Sequence, residues 1–263
     1  MDSEKVLAEF DRQMRREAAA DGPDARVERE PRLVRQVGSG PHTWACVLWS
    51  DLDESTADEA IAAQTAWLSG PDGRGREFEW KLYSHDRPAD LGARLLRAGF
   101  VPEPAETLMV AEVSALATEV RLPDGVRLEP VTDAAGVDLV AAVHERAFGA
   151  SAERLRERLL DHLAHTTDDS LTMVVAMAGD VPVCAARMEV HPGTDFAGLW
   201  GGGTVEQWRG RGIYRALVAH RAALAAARGI RYLQVDASDD SRPILQRLGF
   251  TALSTTTPYL IQG

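Results

Sequence analysis

Lysine is nearly missing from this 263-residue chain: Lys5 and Lys81 are the only two, and arginine supplies the rest of its 29 basic residues. Against 40 acidic residues the net charge is -11, which excludes the continuous basic face that nucleic-acid phosphates require. Amines and other cations remain suitable substrates. Cysteine is equally scarce, and Cys46 and Cys184 each sit in an apolar strand-like run. Two lone thiols so far apart read as reduced core residues, so no disulfide frame and a cytoplasmic location are expected. No apolar run reaches the roughly 18 residues a bilayer span needs, and Met1 to Lys5 lacks a secretory pattern, so no membrane partner is expected. What is present is a 45% hydrophobic, 26% charged composition, that of a folded globular chain with one large or two small domains.

The richest stretch is Trp208-Arg209-Gly210-Arg211-Gly212-Ile213-Tyr214-Arg215-Ala216-Leu217. It joins an apolar strand, Phe196 to Val205, to an alanine-rich helix that stops near Gly229. The first N–H groups of a helix have no intrahelical partner and lie at the positive end of its dipole, so an anion is well received there. Two alternatives fail. A Walker loop needs Gly-Lys-Ser/Thr, whereas Ile213 and Tyr214 follow Gly212. A dinucleotide fingerprint has an acid about 20 residues on, near Asp236, but needs a parallel unit where these strands read as an antiparallel meander.

Downstream, Ile230 to Asp236 alternates as a strand, Asp240 to Leu248 forms a short helix, and Gly249-Phe250 opens a final strand. This order resembles the GNAT family of acyl-CoA-dependent N-acyltransferases over about residues 125 to 260. Arg209-Gly210-Arg211-Gly212-Ile213-Tyr214 is similar to the family's R/Q-x-x-G-x-G/A motif, with Tyr214 where Gly or Ala is usual. The register Gln207 to Gly212 fits fully, but the first places Ala216 and Leu217 at the family's core-facing pair. Ile244-Leu245-Gln246-Arg247-Leu248-Gly249-Phe250 resembles its closing motif. The resemblance implies acetyl-CoA as cosubstrate, an amine-bearing small molecule or peptide as acceptor, and direct attack in a ternary complex. It assigns the pantetheine arm to Gly202, Gly203 and Thr204, beside a Gly201-Gly202-Gly203 run that weakens a strand unless something approaches closely. It assigns the remaining cofactor contacts to Arg209, Gly210, Arg211, Gly212, Ile213, Tyr214, Arg215, Ser238 and Asp239.

The first half repeats this outline. Arg94-Leu95-Leu96-Arg97-Ala98-Gly99-Phe100 echoes Ile244 to Phe250, and strands at Phe78 to Tyr83, Thr107 to Val113 and Thr43 to Trp49 match those of the second half in order. The expected fold is therefore α/β (α+β): tandem GNAT-like domains, each a mixed, mostly antiparallel sheet flanked by helices, with a cut between residues 118 and 119. The halves differ where the loop should be. Ser50-Asp51-Leu52-Asp53-Glu54 leads into the first domain's helix, and acids there cap a helix but repel a pyrophosphate. The N-terminal domain, 1–118, is thus expected to be degenerate and silent toward acyl-CoA, while 119–263 binds it. A homodimer remains open.

Asp133 is expected to cap a helix ending at Phe148, and a second helix runs from Ser151 to His165; by resemblance both flank the acceptor, making His144, Phe148 and Arg154 candidate contacts. The family's usual base and acid are absent, since Gln234 and Leu245 occupy their places. Asp236, on the same strand face as Gln234, is the first substitute for the base, and Glu189, beside Arg187 and His191, the second. Tyr214 and Tyr259 are weaker proton donors than packing groups. No metal is expected, because an exposed helix end accounts for His162 and His165 near Asp161 and Asp168. Cys184 reads as buried strand without an activating partner. A non-catalytic acyl-CoA-binding regulator is the alternative that the missing acid and base keep open.

Overall fold

The computed structural model describes residues 1–20, 25–38, 44–165 and 170–262; Thr43 and Asp168 lie outside them. In chain order the elements are α1 (Ser3–Phe10), β1 (Arg26–Glu30), β2 (Leu33–Val37), β3 (Ala45–Ser50), α2 (Ala57–Ser69), β4 (Glu77–Tyr83), α3 (Leu91–Arg97), β5 (Val101–Pro102) and β6 (Glu106–Glu112). There follow β7 (Val126–Pro130), α4 (Ala134–Phe148), α5 (Glu153–His165), β8 (Leu171–Ala178), β9 (Val181–Val190) and β10 (Phe196–Thr204). The chain closes with α6 (Ile213–Ala227), β11 (Tyr232–Ala237), α7 (Arg242–Arg247) and β12 (Thr251–Gln262). None of the described helices is long and apolar enough to cross a membrane.

The chain forms two compact units, and neither is continuous in sequence. One comprises Met1–Met109, Asp236–Ile244 and Thr251–Gly263; the other comprises Val110–Val235 and Leu245–Phe250. This departs from the expected cut between 118 and 119. The reason is β12, which runs antiparallel to β4 from Thr256 opposite Tyr83 to Gln262 opposite Glu77, so the last strand completes the sheet of the first unit.

In the first unit the strands run β1-β2-β3-β4-β12, all antiparallel neighbours except the parallel pair β3 and β4. On β4 the period of two turns Phe78 and Trp80 into the core, where they pack with Val47, Leu91, Leu95 and Phe100. In the second unit the order is β11-β10-β9-β8-β7, again antiparallel except for the pair β10 and β11. Strands β8 and β9 are buried almost throughout because helices cover both faces. Val137, Val140, Val143 and Leu159 of α4 and α5 meet Met173, Val175 and Ala185, while Ile213 and Leu217 of α6 meet Val174, Cys184 and Ala186. Asp133 caps α4 by accepting the Gly136 N–H at 2.8 Å, and Gly149 ends it in a left-handed conformation.

The internal repeat holds at the level of single hydrogen bonds. Gly99 and Gly249 have φ of 94° and 104°. The following amide, of Phe100 or Phe250, returns to the carbonyl of Leu95 at 3.1 Å or of Leu245 at 3.0 Å. Leu95 and Leu245 are fully buried, and the two phenylalanines nearly so. Each unit also places one helix, α2 or α6, between its parallel strands.

Candidate functional site

Strand β10 shapes the site because its pairing is interrupted on both edges. Toward β11 the register runs only from Phe196 opposite Tyr232 to Gly198 opposite Gln234, so the edge beyond Gly198 is released from that partner. Toward β9 the register shifts between Trp200 and Gly203, leaving Gly201 and Gly202 outside the ladder as a bulge. Gly201 has φ of 58°, a left-handed conformation suited to glycine. The missing side chains also make room for protein. A Cβ would stand 2.9 Å from Arg187 Nη1 at Gly201, 2.8 Å from the Tyr214 ring at Gly202, and 2.7 Å from the Phe148 ring at Gly203. The glycine run therefore admits side chains on its faces, a use the sequence reading did not foresee, alongside the unpaired backbone expected there.

The loop after β10 has Gly210 and Gly212 at φ of 74° and 82°, and Gly212 stands immediately before α6. No side chain caps that helix, so its first amides remain available to an anion. Arg209 is tied back to the protein: its Nε and Nη2 donate to the carbonyls of Thr204 and Ala147, each at 3.1 Å, so the guanidinium fastens the loop to β10 and α4. Arg211 lies 4.6 Å over the Trp208 ring, and both Arg211 and Arg215 are exposed. The equivalent turn of the first unit is closed by its own acid. The Asp53 carboxylate accepts the amides of Ser55 and Thr56 at 2.9 and 3.0 Å, and bonds with both hydroxyls help hold its pKa down to about 2.

Glu189 and Arg187 lie two residues apart on β9, opposite Gly198 and Trp200 of β10. With Gln234 they share the sheet face that carries Met173 and Val175 toward α4 and α5. Arg187 is only 6% exposed. Its Nε is buried without a hydrogen-bond partner, as is Trp200 Nε1. Burial, reinforced by Arg158, lowers the Arg187 pKa to about 10 against the opposing attraction of Glu189. The His144 ring lies tilted against Phe148, 4.8 Å between centroids, and burial together with Arg187 lowers its pKa. Arg154 is exposed. Gln234 and Leu245, in place of the usual base and acid, are both buried.

Asp236 has a different environment from the one expected of a free base. It belongs to the first unit, where Oδ2 accepts from Lys81 Nζ at 2.5 Å and Oδ1 is buried without a partner. Burial opposes the Lys81 charge, yet Asp236, Tyr83 and Glu79 hold its pKa well above the usual value. That carboxylate oxygen is thus engaged by an ammonium and is not free to meet an amine. Ser238 and Asp239 are also in the first unit. Ser238 turns its hydroxyl to the Ser241 amide, and Asp239 pairs with Arg242 at 3.4 Å. Both, expected as cofactor contacts, line an acidic cleft with Glu103, Glu106 and Asp240. Tyr259 packs against the core of that unit, its hydroxyl close to Gly92. Cys184 is buried beside Thr204, and burial raises its pKa to about 11. Among the described residues no cluster of His, Cys, Asp or Glu suits a metal. The Lys81 pairing and Trp200 were missed in the sequence; a lysine at the centre of an aromatic strand was the available signal for the first.

Residues 138–250 match the model of the acetyltransferase (GNAT) family. Among solved structures, a GCN5-related N-acetyltransferase from Kribbella flavida superposes with a TM-score of 0.68 at 17% identity, covering 99% of this chain and 94% of that one. One from Sphaerobacter thermophilus gives 0.59 at 16% identity, covering 98% and 85%. A tandem GNAT protein of the clavulanic acid biosynthesis pathway gives 0.59 at 14% identity, covering 94% and 85%. Comparison with curated proteins finds no match. The domain at 138–250 thus matches the GNAT family, and the chain shares its fold with these GNAT proteins over nearly its whole length.

Proposed function

We propose that the second unit binds acetyl-CoA and transfers its acetyl group to a primary amine of a small molecule or peptide, both substrates being bound together. One observation carries this reading: an edge of β10 freed beyond Gly198 leads directly into the glycine loop and the uncapped start of α6. The free edge of β10 suits an extended amide-bearing arm, and the amides of Ile213, Tyr214 and Arg215 suit a pyrophosphate, with Arg211 and Arg215 adding charge. Thr204 and Arg209 then act by holding the loop in shape. Acetyl-CoA supplies the activated thioester that the amine attacks. Holding the two reactants in one site provides much of the rate, and Glu189 is the residue we assign to take the proton from the amine, a role worth about 100-fold or more. Reduced, buried thiols agree with a cytoplasmic setting.

The burial of Gln234 and Leu245 favours one second reading, in which acyl-CoA binding regulates a partner without transfer. Calorimetry with acetyl-CoA tests the common premise. We expect micromolar binding at one site per chain, abolished when Gly210 and Gly212 are both changed to Val, because φ near +74° and +82° is strained for a β-branched residue. Two sites would overturn the silence of the first unit, and no binding would overturn both readings. With binding in hand, acetylation of an amine panel, lowered about 100-fold by Glu189→Gln, separates enzyme from regulator.

A further inference from the structure

The second unit contains a charge that it does not neutralise. Arg187 is 6% exposed on β9, its Nε has no hydrogen-bond partner, and no carboxylate among the described residues forms an ion pair with it. Glu189 is the nearest acid in sequence and attracts it without pairing, while Arg158 and Arg221 repel it. Burying a guanidinium this way is costly unless something supplies the anion. Its cross-strand partner Trp200 adds a second orphan, an indole N–H that can only donate. Two unsatisfied donors thus share one face at the β10 bulge, against Gly201, where the absent side chain leaves the guanidinium its place. A donor-only pair with one full positive charge matches a carboxylate, which accepts two parallel bonds from a guanidinium and has lone pairs left for an indole.

We propose that Arg187, with Trp200, binds a carboxylate on the acyl acceptor, so that the acceptor is an amino acid or another amine bearing an acid group. This rests on the acyl-transfer reading and narrows its substrate class. Glu189 lies two residues along the same strand face, about 7 Å away by strand geometry, so an amine tethered to the bound carboxylate is delivered to the base assigned above. The acceptor's carboxylate supplies the missing counter-ion, and the net acidic surface of the chain does not decide its specificity.

The test uses matched pairs of amines with and without a carboxylate: phenylalanine and phenethylamine, lysine and cadaverine, 4-aminobutyrate and butylamine. Binding is read by calorimetry in saturating acetyl-CoA, and transfer by thiol release. We expect at least one acid-bearing member to bind and its decarboxylated partner to bind at least tenfold more weakly. Arg187→Met should weaken the acid-bearing member by about 10- to 100-fold, leave its partner and the affinity for acetyl-CoA unchanged, and be partly rescued by Arg187→Lys. The unliganded Arg187→Met protein should also melt higher, by about 2–4 °C, because an unpaired buried charge has been removed. The inference is overturned if no acid-bearing member binds better than its partner, if the variant affects both members equally, if it weakens acetyl-CoA, or if it melts lower. Binding of the carboxylates without thiol release would sink the acyl-transfer reading and leave this site standing; transfer to the decarboxylated amines alone would do the reverse.

Discussion

Single side chains in this protein are often set by partners far away in sequence. Lys81 and Asp236, 155 positions apart, form the ion pair around which Tyr83, Glu79 and Glu106 are arranged. Glu79 and Glu106 bring further negative charge beside the one ammonium. Burial raises the Glu79 pKa above its ordinary 4.5, and although Lys81 pulls it down, Asp236 and Glu77 push it up again. The folded state therefore holds the Glu79 proton more tightly than the unfolded chain does. Its destabilising charge is present above the native pKa and disappears as pH falls below 4.5. Glu79→Gln should accordingly raise the melting temperature at pH 7, with the gain shrinking steadily toward pH 4.5. A pH series of melting curves in which the gain is flat, or grows in acid, would contradict this arrangement. None of this was legible in sequence, because spacing along one strand places Asp236 beside Gln234 but says nothing about a lysine in another part of the chain. Glu189, Arg187 and their shared face were legible, since alternation on one strand is local information.

At the scale of elements the sequence was most informative where backbone chemistry is local. The two Leu-x-x-x-Gly-Phe segments form the same helix end because a left-handed glycine lets the next amide turn back to the leucine carbonyl and sends the phenylalanine into the core. The loop before α6 was legible for the same reason. The three glycines of β10 were only half legible: their pattern announces a close approach, but the approaching groups, Arg187, Tyr214 and Phe148, come from β9, α6 and α4. Gly249 offers a clean test of the helix end, since a Cβ there would meet only Leu116 at 3.6 Å, an ordinary contact, leaving φ of 104° as the strain. Gly249→Ala should cost about 1–2 kcal/mol through that dihedral, measured by denaturant unfolding. Gly99→Ala, with Ile261 at 3.8 Å and φ of 94°, should cost a similar amount. A neutral result at both sites would mean that the turn relaxes and that the repeated glycine is dispensable.

For the molecule as a whole, the order of segments along the chain differs from their grouping in space. The composition and the repeat announced two similar units, but a boundary drawn on sequence assumes that a domain is one uninterrupted stretch. Here the chain leaves the first unit after Met109, returns at Asp236 to Ile244, leaves again, and ends in it with β12. The hydrogen bonds of β4 on that side come from Thr256 to Gln262, so the sheet of the first unit is incomplete without β12. A chain ending at Phe250 would present β4 as a bare strand edge carrying Phe78, Trp80 and Tyr83, a template for pairing with other chains. We expect that truncation to lose the cooperative transition of the first unit and to aggregate, and supplying residues 251–263 as a separate peptide to restore solubility in part. β12 is not among the segments that make up the second unit, so acetyl-CoA titration of the soluble fraction should retain near-native affinity. If the truncated chain stays monomeric with an unchanged melting profile, the last strand is an accessory and the sequential boundary describes the protein better than the contacts do.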